Sequence, residues 1–195
     1  MKSAIFGGTF DPIHCAHLTM SREAAVQLAL DRVLFIPAAN PPHKRGVHAD
    51  YEDRYHMVEL ACEAQELFVP SRLEEGREKS YSILTIERVR TTNPGDRLFF
   101  IIGGDAFAEI TSWHRWQEVI AMVEFIVVTR PGHDYDVPAG ATVHRLDTLA
   151  LEVSSSSIRE RLGLGEPVPE LPVKVFEYIR ERGLYASSRQ AKKTG

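Results

Sequence analysis

The sequence predicts an α/β fold in which a doubly wound parallel sheet carries helices on both faces and a small helical extension follows at the C-terminal end. Two observations support this prediction. Short apolar runs alternate along the chain with segments of helical periodicity, and parallel strands need such crossover helices between them. Paired glycines, Gly7-Gly8 and Gly103-Gly104, directly follow two of the apolar runs. Because ligands of open α/β sheets bind beyond the carboxyl ends of the strands, the functional loops are expected there.

Six short apolar segments are the predicted strands, since each is rich in β-branched or aromatic residues and ends at a turn signal. They are residues 2–6, 32–37, 67–73, 97–102, 124–129 and 142–146. The predicted helices have apolar residues at helical spacing. They are residues 18–30, 51–64, 82–90, 155–162 and 173–182.

Length and composition favour a single cytoplasmic domain. The chain has 195 residues, of which 44% are hydrophobic and 26% are charged, as in ordinary globular proteins. No apolar run approaches the roughly 20 residues of a membrane helix, and the first residues leave no room for a signal peptide. Residues 1–188 are predicted to form the domain and residues 189–195 a solvated basic tail. The net charge of −4 argues against a nucleic-acid partner.

The segment after the first strand carries the strongest functional signal. It reads Gly7-Gly8-Thr9-Phe10-Asp11-Pro12-Ile13-His14-Cys15-Ala16-His17. The glycines let the backbone approach a phosphate closely, and the positive N-terminal end of the next helix favours negative charge. His14 and His17 are three residues apart, so both are expected on one face of the first helical turn, where they can donate to the same phosphate chain.

The residues alone leave two other interpretations of these histidines open. They could be surface residues that cap a helix, or two ligands of a metal site. A zinc site would need a third ligand, and no residue such as the Glu of a zincin motif stands nearby. Cys15 and Cys62 have neither the paired spacing of a zinc site nor the density of a disulfide framework. Phosphate binding is therefore favoured, and no metal bound by protein ligands is predicted.

The pattern Gly-Gly-Thr-Phe-Asp-Pro-x-His-x-x-His resembles the phosphate-binding signature of the nucleotidyltransferase superfamily that adenylylates nicotinate mononucleotide, phosphopantetheine and related substrates. His14 favours the nicotinate branch, because phosphopantetheine adenylyltransferases usually have threonine at that position. Ala16 departs from the glycine usual in the superfamily, a change that a helix should tolerate. The resemblance implies a Rossmann-like sheet and an ATP site.

A second segment, Val153-Ser154-Ser155-Ser156-Ser157-Ile158-Arg159, resembles the superfamily's C-terminal Ile-Ser-Ser-Thr-x-Ile-Arg motif. Hydroxyls and free backbone N–H groups at a helix start, with an arginine one turn in, form an anion site on physical grounds as well. The resemblance, carried by these two motifs and by the segment Gly103-Gly104-Asp105, implies an ATP site with eleven predicted residues. They are Gly7, Gly8, Thr9, Phe10, His14, His17, Gly103, Asp105, Ser155, Ser156 and Arg159. Among these, His14, His17 and Arg159 are the predicted catalytic residues.

Five further segments resemble the bacterial nicotinate-nucleotide adenylyltransferases in particular and occur in the expected order. They are Pro37-Ala38-Ala39-Asn40-Pro41-Pro42-His43-Lys44, Ser80-Tyr81-Ser82-Ile83-Leu84-Thr85, Phe100-Ile101-Ile102-Gly103-Gly104-Asp105, Ser112-Trp113-His114 and Arg130-Pro131-Gly132. The resemblance implies that Trp113 stacks on the pyridine ring, while Ser82 and Thr85 hold the nicotinate side. It implies that Lys44 approaches the mononucleotide phosphate and that Arg130 helps to position a phosphate or the bound nucleotide.

For three of these residues an ordinary structural role is the alternative. Trp113 could be simple core packing, since tryptophan is mostly buried. Lys44 could be a solvated loop charge. Asp105, which the resemblance places on a ribose hydroxyl, could instead cap the helix that follows it.

The predicted reaction is attack of a mononucleotide 5′-phosphate on the α-phosphorus of ATP, with Mg²⁺ arriving on the ATP. A dinucleotide-binding dehydrogenase would need Gly-x-Gly-x-x-Gly after the first strand, and a Walker-type kinase would need Gly-x-x-x-x-Gly-Lys-Ser/Thr. Neither pattern occurs. A catalytically silent relative, an acceptor other than nicotinate mononucleotide, and a homo-oligomer stay open.

Overall fold

The computed structural model describes residues 1–40, 47–76, 79–132, 134–148 and 153–186. Lys44 and the predicted basic tail lie outside these residues, so their predicted roles are not tested by the geometry. Among the helices of the described residues, none is both long enough and apolar enough to cross a membrane.

One six-stranded parallel sheet forms the centre of the protein. Its strands follow the order β3-β2-β1-β4-β5-β6, and every neighbouring pair is parallel. They are β1 (Lys2–Gly8), β2 (Arg32–Pro37), β3 (Phe68–Pro70), β4 (Arg97–Gly103), β5 (Glu124–Thr129) and β6 (Val143–Asp147). The chain winds outward from β1 in one direction and from β4 in the other. The point where the order reverses therefore lies between the carboxyl ends of β1 and β4, which is where open α/β sheets bind ligands.

Within the described residues, seven α-helices connect or follow the strands. They are α1 (Cys15–Leu28), α2 (Tyr51–Cys62), α3 (Ser82–Thr92), α4 (Gly104–Ala108), α5 (Trp116–Met122), α6 (Ser155–Leu164) and α7 (Val173–Arg182). A short 3₁₀ helix, Ile110–Ser112, separates α4 from α5. The predicted α/β class, with its C-terminal helices, is confirmed.

The core consists of two apolar clusters, one on each face of the sheet. Alternate residues of a strand point to opposite faces, so Ala4 and Phe6 of β1 join one cluster and Ile5 joins the other. The first cluster buries residues of α1, α2, α6 and α7, among them Ile158 and Val175. The second buries residues of α3, α4 and α5. Because α6 and α7 pack into the first cluster, the C-terminal helices are part of the domain core.

The predicted boundaries need three corrections. Helix α1 begins at Cys15 and not at residue 18, because the extended backbone of His14 provides its N-cap. It also ends earlier, since Ala29 adopts a left-handed conformation with φ 49°. Strand β3 is only three residues long; it lies at the sheet edge and ends at Pro70, which has no N–H group for a ladder.

Candidate active site

A cavity opens at the carboxyl ends of β1 and β4, where the strand order reverses. Its volume is about 250 Å³, and its walls come from the turn after β1, the end of β4, the start of α3 and the segment that carries Trp113. The predicted residues Gly7, Gly8, Thr9, Ser82, Thr85, Gly103 and Trp113 all line it. The fold thus brings together residues that are more than 100 positions apart in the sequence.

Residues 7–14, which comprise the last two residues of β1 and the turn after it, are called the glycine turn below. A Cβ atom on Gly8 would lie 2.9 Å from the ring of Phe10, a distance that side chains do not tolerate. Phe10 has a left-handed backbone, with φ 48°, and its ring is only 2% exposed within the first core cluster. Its predicted contribution to nucleotide binding can therefore come only from its backbone.

The two predicted catalytic histidines form a stacked pair. Their ring centroids are 3.8 Å apart and their planes are inclined by 29°. The backbone N–H of His14 donates to Nδ1 of His17 over 3.2 Å. Because Nδ1 of neutral His17 accepts a hydrogen bond, its ring proton is on Nε2, and that nitrogen is a donor.

His14 is nearly enclosed, with 3% of its surface exposed. Its Nδ1 is buried and has no hydrogen-bond partner among the residues that the structure describes. Burial lowers the pKa of His14 to about 4, although the charge of Glu170 acts in the opposite direction. His14 is therefore neutral at physiological pH, and it can donate from only one of its ring nitrogens at a time.

The serine-rich motif lies against the glycine turn, as an anion site requires. The side chain of Ser154 caps α6 by accepting from the N–H of Ser157 over 3.2 Å. The hydroxyl of Ser155 donates to the carbonyl oxygen of Pro12 over 2.9 Å. The first N–H groups of a helix have no acceptor within it, so α6 presents donors and a positive helix end beside the glycine turn.

Arg159 ties the same helix to the turn through its guanidinium. Its Nη1 donates to the carbonyl oxygen of Asp11 over 2.6 Å, and its Nη2 donates to the hydroxyl of Ser156 over 3.2 Å. The side chain is 19% exposed. A fixed cation, the α6 N-terminus and two histidines therefore converge on one region, which suits the charge of a triphosphate.

Arg54, whose role was not predicted from the sequence, holds the backbone of the site in place through hydrogen bonds to carbonyl oxygens. This arginine is 1% exposed, and its Nη1 donates to the carbonyl oxygens of Thr9 over 2.7 Å and Ala38 over 2.8 Å. Its Nε donates to the carbonyl oxygen of Ala49 over 3.2 Å. One buried guanidinium thus joins the loops that follow β1 and β2. An isolated arginine in a helix carries no motif that could have predicted this role.

Trp113 and Thr85 border the cavity on the side assigned to the pyridine ring. Trp113 is partly buried and its ring meets Phe100 edge to face, with centroids 6.0 Å apart. It therefore combines core packing with a position on the cavity wall. The hydroxyl of Thr85 donates to the carboxylate of Glu74, so its hydrogen is already engaged.

Glu74 is a further wall residue that the sequence reasoning did not single out. It is 5% exposed and lines the cavity. Its Oε1 accepts from Thr85, while Oε2 is buried without a hydrogen-bond partner within the described part of the chain. By accepting from Thr85, the carboxylate orients the hydroxyl of that residue on the cavity wall.

A second cavity of about 440 Å³ adjoins the first beyond β4 and β5. It is lined by Gly103, Gly104, Asp105, Ala106, Val128, Thr129 and Arg130. Asp105 lies in the first turn of α4, but the N-cap of that helix is Gly103. The N-cap position of α4 is thus occupied by Gly103, and the exposed Asp105 lines the same cavity as Arg130.

A metal site at the histidine pair would need at least one further ligand. Within the described ranges, no three His, Cys, Asp or Glu side chains form a group that could hold a metal ion. Cys62 is buried, and Cys15 is partly buried at the start of α1. Neither thiol joins the histidine pair in such a group.

Comparison with known proteins agrees with the predicted family. A model of the cytidylyltransferase-like family matches residues 5–161. The chain is 58% identical over 187 residues to a probable nicotinate-nucleotide adenylyltransferase of Solibacter usitatus, covering 95% of this chain and 100% of that protein. It is 40% identical over 191 residues to the nicotinate-nucleotide adenylyltransferase of Bacillus subtilis, covering 95% of this chain and 99% of the other.

A solved structure supports the fold independently of sequence. Plasmodium falciparum nicotinic acid mononucleotide adenylyltransferase, complexed with NaAD, superposes with a TM-score of 0.78 at 17% identity, over 95% of this chain and 98% of the other. At that identity the likeness supports the fold alone. Since the curated relatives match along almost its whole length, the chain belongs to the nicotinate-nucleotide adenylyltransferase family of cytidylyltransferase-like proteins.

Proposed function

We infer that the chain transfers the adenylyl group of ATP to nicotinate mononucleotide, forming nicotinate adenine dinucleotide and pyrophosphate. The observation that carries this inference is the convergence of His14, His17 and the α6 N-terminus on the glycine turn. Relatives that are 40% to 58% identical over nearly the full length carry the corresponding name.

In the proposed reaction, a 5′-phosphate oxygen of the mononucleotide forms a bond to the α-phosphorus of ATP. The bond between the α-phosphorus and the oxygen bridging to the β-phosphorus breaks, and its electron pair leaves with pyrophosphate. No proton transfer and no covalent enzyme intermediate are needed. The protein therefore contributes positioning and stabilisation of charge, as in other phosphoryl-type transfers.

The substrate is ATP with its Mg²⁺, which is held mainly by phosphate oxygens and water. His17 donates from Nε2, because its Nδ1 accepts from the backbone of His14. His14 adds a neutral N–H, and Arg159 adds a fixed positive charge beside the glycine turn. These donors stabilise negative charge as it moves onto the leaving pyrophosphate.

The acceptor occupies the cavity bordered by Trp113. Its flat pyridine ring stacks on the exposed part of the indole, as aromatic rings do. Ser82 and the start of α3 lie along the same wall, and the positive end of a helix favours a nicotinate carboxylate. Lys44 is proposed to approach the mononucleotide phosphate. Asp105 and Arg130 are proposed to contact the nucleotide in the second cavity, which they line.

The test is pyrophosphate release from MgATP with nicotinate mononucleotide, nicotinamide mononucleotide and phosphopantetheine compared in parallel. Release that is fastest with nicotinate mononucleotide is the expected outcome. Preference for another acceptor would keep the reaction class and reject the substrate, while no release with any acceptor would favour a catalytically silent relative. A cytoplasmic location and the absence of nucleic-acid and membrane partners remain predictions for fractionation and binding assays, and light scattering tests whether the chain forms a homo-oligomer.

A further inference from the structure

The carboxylate of Asp11 joins three segments that lie far apart in the sequence. Asp11 belongs to the glycine turn and is 4% exposed. Its Oδ1 accepts from the hydroxyl of Tyr185 over 2.7 Å and from the N–H of Ala49 over 3.1 Å. Its Oδ2 accepts from the N–H of His48 over 2.8 Å. The turn that borders the triphosphate region is thus attached to the residues that directly precede α2 and to the C-terminal segment.

The backbone of Asp11 adds the link to Arg159. Its carbonyl oxygen accepts from Nη1 of Arg159 over 2.6 Å, while the nearer carboxylate oxygen lies 3.9 Å from that nitrogen. The guanidinium therefore bonds the carbonyl and stands just beyond hydrogen-bond distance of the carboxylate. Three donors already satisfy the carboxylate, and this leaves the arginine available to a second anion.

The chain reaches Asp11 through an abrupt turn after α7. Gly183 ends the helix in a left-handed conformation, and Tyr185 follows with φ 63°. A left-handed tyrosine is unusual, and such a residue persists only where its surroundings hold it. Burial and, as the second cause, the hydrogen bond to Asp11 raise the pKa of the Tyr185 hydroxyl far above its ordinary value. The hydroxyl is therefore a hydrogen donor at any working pH.

The carboxylate itself stays ionised. Burial alone would raise the pKa of Asp11, but the N–H of His48, the hydroxyl of Tyr185, the N–H of Ala49 and the charge of Arg159 outweigh burial and leave the pKa below its ordinary value. A buried anion that loses one of these donors must find another. The Nδ1 atom of His48 lies 3.4 Å from Oδ2, and Arg159, at 3.9 Å from the same oxygen, is a nearby permanent cation that can supply a donor.

We propose that Tyr185 is a positioning residue for the triphosphate end of the active site, acting through Asp11 on Arg159 and the glycine turn. Without its hydroxyl, the Asp11 carboxylate draws Arg159 toward itself and away from the triphosphate. The proposal rests on the function inferred above and assigns the C-terminal segment to ATP binding, although Tyr185 lies 174 positions from Asp11 in the sequence.

Tyr185→Phe tests the proposal, and Tyr178→Phe is its matched control. Tyr178 makes an equivalent bond, from its hydroxyl to Oδ1 of Asp53 over 2.7 Å, but Asp53 belongs to α2 and not to the glycine turn. Both variants lose one tyrosine–aspartate hydrogen bond, so comparable falls in melting temperature are expected. Only Tyr185→Phe should raise the KM for ATP, by about tenfold, with the KM for the mononucleotide little changed. Equal kinetics in the two variants would overturn the proposal.

Asp11→Asn supplies the background for a second test. The amide oxygen can still accept from the hydroxyl, but the charge that would draw Arg159 is gone. In this background Tyr185→Phe should therefore cause no further rise in the KM for ATP, because no buried charge is left to attract Arg159. A rise caused by Tyr185→Phe that is equal in the wild-type and Asp11→Asn backgrounds would contradict the proposed link.

A binding measurement separates this proposal from the proposed function. Titration of the wild-type protein and both tyrosine variants with a non-hydrolysable ATP analogue requires no acceptor and no turnover. Weaker binding by Tyr185→Phe alone supports the positioning role, even if nicotinate mononucleotide proves not to be the acceptor. Normal analogue binding by Tyr185→Phe rejects the role, even if adenylyl transfer is confirmed.

Discussion

His14 donates its backbone N–H to Nδ1 of His17 while the two imidazole rings stack 3.8 Å apart. This arrangement fixes the tautomer of His17 without any side chain beyond the pair. It also explains why a spacing of three residues matters: His14 is the N-cap of α1 and His17 occupies the third position of the same helix. The pair therefore presents its donors from the rigid first turn of a helix.

Replacement of His17 by alanine is expected to lower kcat by about two to three orders of magnitude. The removed Nε2–H is a preorganised donor to charge that develops in the transition state, and loss of one such donor typically costs about 10²- to 10³-fold. Steady-state kinetics with saturating MgATP and nicotinate mononucleotide measure the effect. His56→Ala, which removes an exposed histidine outside the site, should keep wild-type turnover. A loss of only a few-fold in His17→Ala would show that another group bears this charge.

Stability should depend on pH through His14. The ordinary pKa of 6.5 applies in the unfolded chain, whereas burial, opposed by the charge of Glu170, lowers the pKa to about 4 in the folded protein. Between these values the unfolded chain binds more protons, so the free energy of unfolding falls as the pH drops from about 6.5 to 4. The full difference is roughly 3 kcal/mol. Above pH 6.5 this contribution does not change with pH.

Urea unfolding of wild-type protein and His14→Gln at pH 7 and pH 4.5 checks this dependence. His14→Gln is expected to lose less free energy of unfolding between the two pH values, since glutamine does not titrate. His56→Gln, at an exposed position, should behave like the wild type. Equal losses in His14→Gln and wild type would mean that His14 is not held neutral by burial.

The sequence predicted the fold and much of the site because both depend on local patterns. The alternation of apolar runs with helical segments predicts the parallel sheet, and glycine pairs at the carboxyl ends of β1 and β4 mark its ligand-binding edge. The short helices α4 and α5 between Gly104 and Met122 were not predicted, because five and seven residues are too few for a periodic signal.

The supporting contacts could not be predicted, since they join residues across long sequence distances. Arg54 forms a hydrogen bond to Thr9, which lies 45 positions away in the sequence, and Tyr185 forms one to Asp11, which lies 174 positions away. Glu74 lies in a charged segment, and nothing in the sequence distinguishes its buried carboxylate from that of its exposed neighbour Glu75. Such roles depend on which side chains the fold buries together, and a single sequence carries no local pattern for that.

Gly8→Ala should destabilise the protein and disturb the glycine turn. The added Cβ would lie 2.9 Å from the Phe10 ring, and that ring is packed in the core and cannot move freely. An overpacked site of this kind costs about 1 to 3 kcal/mol. Thermal or urea unfolding measures the loss. Gly103→Ala is the control for stability, because its Cβ would meet no atom within 4 Å; equal stability of the two variants would contradict the crowding argument.

Glu74→Ala is expected to raise the KM for nicotinate mononucleotide by about five- to tenfold while the KM for ATP stays near its wild-type value. The carboxylate accepts the hydroxyl hydrogen of Thr85, and its removal leaves that hydroxyl free to rotate on the cavity wall. The expected change in KM corresponds to about 1 to 1.4 kcal/mol, the usual net contribution of one hydrogen bond. Thr85→Val should have a similar effect, and the double variant should be no worse than either single one, because both remove the same bond. Glu75→Ala, at an exposed position next in sequence, provides the control and should leave both KM values unchanged. If Glu74→Ala raised both KM values equally, the carboxylate would support the fold of the whole site and not the mononucleotide cavity in particular.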